Sequence, residues 1–397
     1  MTVKPWLRVL VAGAAVLGLV GCSKADRAVL GAPGCPDGPV AHVSPRQVPV
    51  GTVWAWSPHF GAPVDSRQKG LVPGWSDVVS VADDGHTTVA VRADGTVWSY
   101  GTNVAGSLGR GSLERFYEAE PRQISGVDEA SAVYSSGATF YVVRRDGTVM
   151  AWGQDRFLVR AGKREGHDGV ATPQHVPGVR DIVSMGPGLL NAFALRSDGR
   201  VRGWGINVTD VLGDTGGTRL TTIDDVKGVV DVASAGGAVI AAKADGHVCA
   251  WGNNAHGLLG IEPRGGQMGR PLLVPALKDV VQVAGGNDVA YALGRDGVVR
   301  AWGRGVNGAL GDGDTSDHAR AEPVRVAGLP RIRRIAAFGL TGLAIDVEGR
   351  LWGWGSGLGL GRYAENGAAH PVRIPLPRRA LDLSGHHVIL EDVPPTR

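Results

Sequence analysis

A chain of 397 residues, 43% hydrophobic and 20% charged, has ample material for a buried core. Its formal charge of +3 is small for that length, and no basic block runs beyond a few residues, so charge implies neither nucleic acid nor an acidic membrane surface as partner. Its 62 glycines, well above ordinary usage and without a collagen period, predict a turn-rich, all-β chain of many short strands.

Lys4 and Arg8 precede an apolar run from Val9 to Val20 that ends in "LVGC", Leu19 to Cys22. The run is short of the about 20 residues a bilayer-spanning helix needs. A charged start, a short apolar run and small residues before a cut make residues 1–21 a secretory signal. Its ending resembles the bacterial lipobox. That resemblance implies that Cys22 is diacylated and anchors a bacterial, extracytoplasmic lipoprotein to the cell membrane or outer membrane. Residues 22–48 are rich in Pro and Gly and read as a flexible tether with a reach of about 30 Å. Cys35 lies in that tether and Cys249 in a predicted strand, so both are expected to stay unpaired thiols.

A repeat begins next. "VGTVWAWS" (50–57) is followed by "DGTVWSYG" (94–101), "DGTVMAWG" (146–153), "DGRVRGWG" (198–205), "DGHVCAWG" (245–252), "DGVVRAWG" (296–303) and "EGRLWGWG" (348–355). Recurrence about every 50 residues marks an array of supersecondary units. The unit after Asp279 reads as four strands: "VVQVA", "DVAYAL", then "VVRAW" after an Asp-Gly hairpin turn, and "EPVRVAGL" beyond a long Gly-rich loop. Four strands in such a unit make a propeller blade. A final half-unit, "ALDLSGHHVILED" (380–392), lacks a WG strand, whereas "VGTVWAWS" lacks preceding strands. The two halves complete one blade. Residues 49–393 are therefore expected to form a seven-bladed β-propeller of four-stranded blades, closed by pairing of its N- and C-terminal half-blades, with 394–397 as a tail. The aromatic residues at one repeated place, Trp56, Tyr100, Trp152, Trp204, Trp251, Trp302 and Trp354, are expected between blades as structural core.

Within the sixth WG segment, Gly303-x-Gly305-x-x-Gly308 has the spacing of a dinucleotide fingerprint, which requires a following helix. "ALGDGDTSDHARAEP" has no helical period, and the same loop recurs as "TNVAGSLGRG" and "NNAHGLLG". The glycines are therefore read as turn-forming, and no cofactor is expected. "DGDTSD" (312–317) opens like a calcium loop but has Asp317 at the glycine place and no closing glutamate. His386 and His387 are adjacent on a predicted strand and are expected to point to opposite faces, which excludes joint chelation. No catalytic motif stands out, so neither a metal nor an enzymatic activity is expected.

"WGNNAHGLLG" (251–260), "YGTNVAGSLGRG" (100–111) and "ADDGHTTVAVRADG" (82–95) resemble repeats of the regulator-of-chromosome-condensation family. The resemblance covers nearly all of the mature chain and implies a seven-bladed propeller with split-blade closure. In nuclear members one face promotes guanine-nucleotide exchange on a small GTPase and another contacts chromatin. A secretory address is compatible with neither. A secreted bacterial relative that inhibits class A β-lactamases fits the address better, although none of its inhibitory residues can be matched here.

The loops after the first and third WG segments lack the Leu-Gly signature, and "LERFYEAE" in the second blade adds further aromatic and basic residues. Together these stretches carry His59, Phe60, Trp75, Arg115, Phe116, Tyr117, Arg156, Phe157 and Arg160, residue types common in binding hot spots. The expected function is a monomeric, membrane-anchored protein-binding module, an inhibitor or scaffold for a cell-envelope enzyme such as a β-lactamase or a penicillin-binding protein. Glycan or cell-wall binding is the alternative, and a propeller lyase the third reading.

Overall fold

The computed structural model describes residues 32–56, 70–154, 169–188, 191–213, 220–262, 265–360 and 367–392. Cys22, His59, Phe60, Arg156, Phe157 and Arg160 lie outside them. Among the described residues, 28 strands, β1–β28 in chain order, build five separate four-stranded sheets and one eight-stranded sheet. The larger sheet is two blades linked by a single Gly51–Val78 pairing. One is β3 (Val78–Asp83), β4 (Thr87–Arg92), β5 (Val97–Thr102) and β6 (Tyr117–Gln123). The other combines the C-terminal β27 (Ala380–Ser384) and β28 (His387–Glu391) with β1 (Gly51–Ala55) and β2 (Gly70–Leu71). The molecule is thus an all-β, seven-bladed propeller whose terminal strands pair in one sheet, with Val53 opposite Ile389 at the seam.

Local chemistry explains the blade. Second strands such as "TTVAVR" and "TFYVVR" are apolar along nearly their whole length because both sheet faces are covered by neighbouring blades. The turn to the third strand is closed by an aspartate accepting the N–H two residues on, as Asp94 does from Thr96 at 2.9 Å. Its glycine is obligatory. Gly95 has φ +86°, and a Cβ there would lie 3.0 Å from the Glu129 backbone of the next blade.

The first strands form the inner ring, with β3 beside β7 (Ala130–Ser136), β19 (Val280–Gly285) beside β23 (Ile332–Phe338), and β27 beside β3. Each has an irregularity near its start, and the residue just past it reaches the next blade. Ser80 Oγ accepts the Val133 N–H at 3.1 Å, Gln282 Oε1 accepts that of Ile335 at 3.0 Å, and Arg334 pairs with Asp382 at 2.9 Å.

All seven repeated aromatics are at most 2% exposed. The polar tips of four of them follow a rule. The indole N–H of Trp152 donates to Ser107 O, that of Trp251 to Val211 O, and that of Trp302 to Leu258 O, each at 2.8 Å; Trp354 donates to Ala309 O at 3.1 Å. Each acceptor belongs to the Gly-rich loop of the preceding blade. The Leu-Gly signature is therefore a docking surface for the next blade's tryptophan. A Cβ on Gly109 would lie 2.8 Å from Trp152 Nε1. In the loop around Gly303 a single 3₁₀ turn, Val306–Gly308, stands where a phosphate-binding helix would have to begin.

Residues 32–48 correct the expectation of a free tether. Cys35 forms a disulfide with Cys249, across Cα atoms 5.7 Å apart, where two unpaired thiols were expected. The segment does not float. Cys35 N–H donates to Pro271 O at 3.0 Å, Leu273 N–H to Pro33 O at 3.0 Å, and Val43 N–H to Ser197 O at 2.8 Å. Lys243, 1% exposed, donates to Pro36 O, and Ala41 is 8% exposed. Arg46 ends the strap at the inner ring, 3.0 Å from Asp382. The strap crosses the face carrying the Asp-Gly turns, hereafter the turn face; the long loops between third and fourth strands project from the opposite loop face.

Removing the disulfide by Cys35→Ser should cost about 2–5 kcal/mol, the usual loss for a native bridge closing a long loop. Thermal unfolding reads that loss. Hydrogen exchange at the Val43 amide should speed up, and unchanged exchange there would show that the strap docks without its bridge.

Candidate functional site

The loop face presents the sequence-predicted residues that are described, except one. Trp75 is 1% exposed and packs edge-on against Tyr100, ring centroids 5.1 Å apart. It belongs to the core and is unavailable to a partner. Its position in a degenerate loop suggested exposure, but the chain returns there to fill the core between the closing blade and the next, and its carbonyl accepts the Val53 N–H at 3.1 Å. Arg115 and Phe116 are exposed, Phe116 by 42%, with Leu113 beside them at 46%. Tyr117 is half-buried as the first residue of β6. Leu113 carries no signal that the sequence reading used.

This loop is held stiffly. Asn103, 1% exposed, donates from Nδ2 to Ser112 O at 2.9 Å and Glu114 O at 2.7 Å, while its Oδ1 accepts the Leu108 N–H at 3.1 Å. The Asn103 N–H donates to Phe116 O at 2.7 Å. One buried amide thus fixes both stems of the loop and the backbone of Phe116. Side chains presented this way lose little entropy on docking.

Inward from the loop, at the seam of the closing blade, a polar cluster is buried. Asp83 Oδ1 accepts the Gly85 N–H at 2.6 Å; Oδ2 accepts the His386 N–H at 3.0 Å and lies 3.0 Å from His387 Nδ1 and 3.3 Å from His386 Nδ1. His387 Nε2 is 2.7 Å from Tyr100 Oη. The expectation that His386 and His387 face opposite ways is corrected. Gly385, at φ +53°, makes a tight turn that holds His386 off the strand, so both rings reach one carboxylate oxygen.

Burial alone would raise the Asp83 carboxyl, but His387 and His386 override it and hold it well below the usual carboxylate range. Burial, reinforced by Asp83, keeps the Tyr100 phenol protonated far above its ordinary range. One imidazole thus bridges the two groups, with Nε2 facing the Tyr100 phenol and Nδ1 facing the Asp83 carboxylate. This row of groups resembles a proton relay, yet Asp83, His387 and Tyr100 are 4%, 1% and 1% exposed, which denies them a substrate. Its effect is structural, binding β3 to the C-terminal turn. Among the described residues no group of three or more His, Cys, Asp or Glu side chains is arranged to hold a metal ion.

Asp84 sits beside this cluster. Its Oδ1 accepts N–H bonds from His86 at 2.8 Å and Thr87 at 2.7 Å, while Oδ2 is buried with no partner. Burial, only partly offset by those two bonds and reinforced by Asp83, raises its carboxyl to about 7.

Two stretches, residues 245–293 and 296–338, match the family model described as the Regulator of chromosome condensation (RCC1) repeat. The protein is thus a β-propeller in which two consecutive stretches are similar to the RCC1 repeat. Protein pim1 of Schizosaccharomyces pombe is 28% identical over 268 residues, 60% of this chain and 49% of pim1. The E3 ubiquitin-protein ligase HERC2 of Homo sapiens is 28% identical over 320 residues, 76% of this chain and 6% of HERC2. The chain thus spans about half the length of the first relative and a small part of the second. Among solved structures, Prp20p of Saccharomyces cerevisiae superposes with a TM-score of 0.72 at 21% identity, covering 88% of this chain and 92% of that one. That likeness shows the fold.

Asp84→Asn tests the buried carboxyl. A raised folded-state pKa means that the folded chain holds the proton the unfolded chain loses above about 4, so stability falls as pH rises from about 4 to 7. Asparagine keeps the acceptor and discards the charge. The variant should melt about 2 °C or more above the parent at pH 8 and equal it near pH 4 in calorimetry. An equal gain at both pH values would assign the effect to packing.

Proposed function

We propose that this protein is a lipid-anchored, extracytoplasmic propeller that binds another protein through its loop face, without an enzymatic activity of its own. The observation that carries the reading is the stiff loop presenting Leu113, Arg115 and Phe116, an apolar pair flanking a cation on a rigid scaffold. The Prp20p structure report concerns binding to Gsp1p and histones, which are protein partners, and only that general mode is carried across. The address rests on the signal-like segment and Cys22, and a disulfide between Cys35 and Cys249 suits an oxidising compartment. The partner class that fits this address is a cell-envelope enzyme, a β-lactamase or a penicillin-binding protein, held by an inhibitor or scaffold.

The test is titration of the mature chain against purified enzymes of these two classes, beside an Arg115→Ala/Phe116→Ala variant. Loss of two hot-spot side chains should weaken binding by about 30-fold or more. Equal affinities for parent and variant would move the site off this loop, and binding to wall polysaccharide alone would replace the protein partner with a glycan. Acylation is read separately, by the mass of membrane-extracted protein and by release of a Cys22→Ala variant into the soluble fraction.

A further inference from the structure

One local cluster of like charge stands out on the turn face. At the turn-face end of one blade, β21 (Val299–Arg304) and β22 (Ala319–Arg325) pair so that Arg300 stands directly opposite Arg325. Like charges opposite one another on a sheet are destabilising unless something of opposite sign lies over them. Arg295 projects from the adjoining Asp-Gly turn, and Arg331 packs over Gly297 of that same turn. Arg325 and Arg331 line a cleft of about 240 Å³. Arg295, Arg325 and Arg331 are exposed and Arg300 half-buried; among the described residues none of the four forms a salt bridge. Acidic residues adjoin them, among them Glu348, which follows Val347 bonded to the Arg331 carbonyl and pairs with Arg350 at 2.7 Å. Asp296 accepts the Val298 N–H at 2.9 Å within its own turn, and the Asp279 carbonyl accepts the Arg295 N–H at 2.8 Å.

This cationic sector shares the turn face with the strap and neighbours the blade to which Cys35 is bonded. The chain from Cys22 to Cys35 spans at most roughly 45 Å fully extended. A bilayer holding Cys22 would therefore lie within that distance of Cys35, close enough for the turn face and its four arginines to reach it.

We infer that the Arg295–Arg300–Arg325–Arg331 sector docks on the anionic headgroups of a phospholipid bilayer, so that the turn face meets the membrane and the loop face points away. The inference rests on the lipid-anchor reading for its biological setting, but the sector's affinity for anionic lipid is a property of the folded chain alone. The acyl chains on Cys22 would supply attachment, and the basic patch adds an electrostatic attraction that selects which face meets the bilayer. The disulfide adds orientation, since it moves the pivot from the start of β1 to the strap's outer end.

The experiment uses the mature chain carrying Cys22→Ala, disulfide intact, so that no acyl chain contributes. It is sedimented with vesicles of phosphatidylglycerol in phosphatidylcholine and with vesicles of phosphatidylcholine alone. Binding is expected only to the anionic vesicles, weakening with salt, and dropping about fivefold for each of Arg295→Gln, Arg325→Gln and Arg331→Gln. Arg304→Gln makes the same change in net charge on the loop face and should leave binding at the parent level. Equal partition onto both vesicle types overturns the inference, as does parent-level binding by the triple variant. Retention by polyphosphate without any partition onto vesicles overturns the bilayer as occupant. The mass of the native chain reports on acylation independently, so failure of the anchor and failure of the sector give different results.

Discussion

Four blades in this ring each depend on their predecessor through one buried polar atom. The aromatic of the third strand is sealed between two sheets, where an unpaired N–H or O–H would cost about 1–3 kcal/mol. In four blades the solution is the same, an indole N–H donating to a carbonyl of the loop before it. That requirement reaches back into the sequence. The acceptor sits on a tight turn, the turn needs glycine, and the neighbouring leucine is buried, as Leu108, Leu259 and Leu310 are. Much of the repeat signature is thus the imprint of the next blade's tryptophan.

Where the preceding loop abandons that signature, the rule must be met differently. Tyr100 follows the loop of the closing blade, which has no Leu-Gly turn. A phenol replaces the indole, and its partner is His387 from the chain's other end. The other nitrogen of the imidazole faces Asp83, which also captures the His386 N–H. The seam is therefore held by the β1–β28 ladder and by a carboxylate whose partners lie some 300 residues away in sequence. Trp204 follows the other degenerate loop, and among the described residues its indole nitrogen makes no bond to a preceding carbonyl.

The architecture was legible because it is periodic. Seven copies of one segment and two complementary half-units define strands, turns and closure without reference to any single contact. The features that sequence reasoning missed are non-periodic. Cys35 and Cys249 are 214 residues apart, and their pairing depends on the strap running along the edge of one particular blade. Proline and glycine made residues 22–48 look like a linker, yet the prolines present carbonyls, those of Pro33 and Pro36, to the blade they cross. The His386–His387 pair was misread because strand alternation was assumed one residue too early, inside a turn set by Gly385. Trp75 was misread because a non-consensus loop was taken to be exposed throughout. Leu113 was missed because exposure cannot be inferred from a lone leucine.

The strap also separates the two faces. A propeller's loop and turn faces are equally accessible in isolation, and nothing in the repeat distinguishes them. Residues 32–48 break that equivalence by covering part of the turn face, pinned at the disulfide on one side and at the Arg46–Asp382 pair on the inner ring. Arg46 joins Arg334 on the same carboxylate, so the charge of Asp382 is shared between a ring-forming contact and the strap. Burial lowers the Arg46 guanidinium and Arg334 lowers it further, while Asp382 supports it. Withdrawing the strap would leave Asp382 with Arg334 alone and Lys243 without its Pro36 acceptor. Residues 32–48 are therefore an integral part of the fold, docked on the turn face from the disulfide to the inner ring.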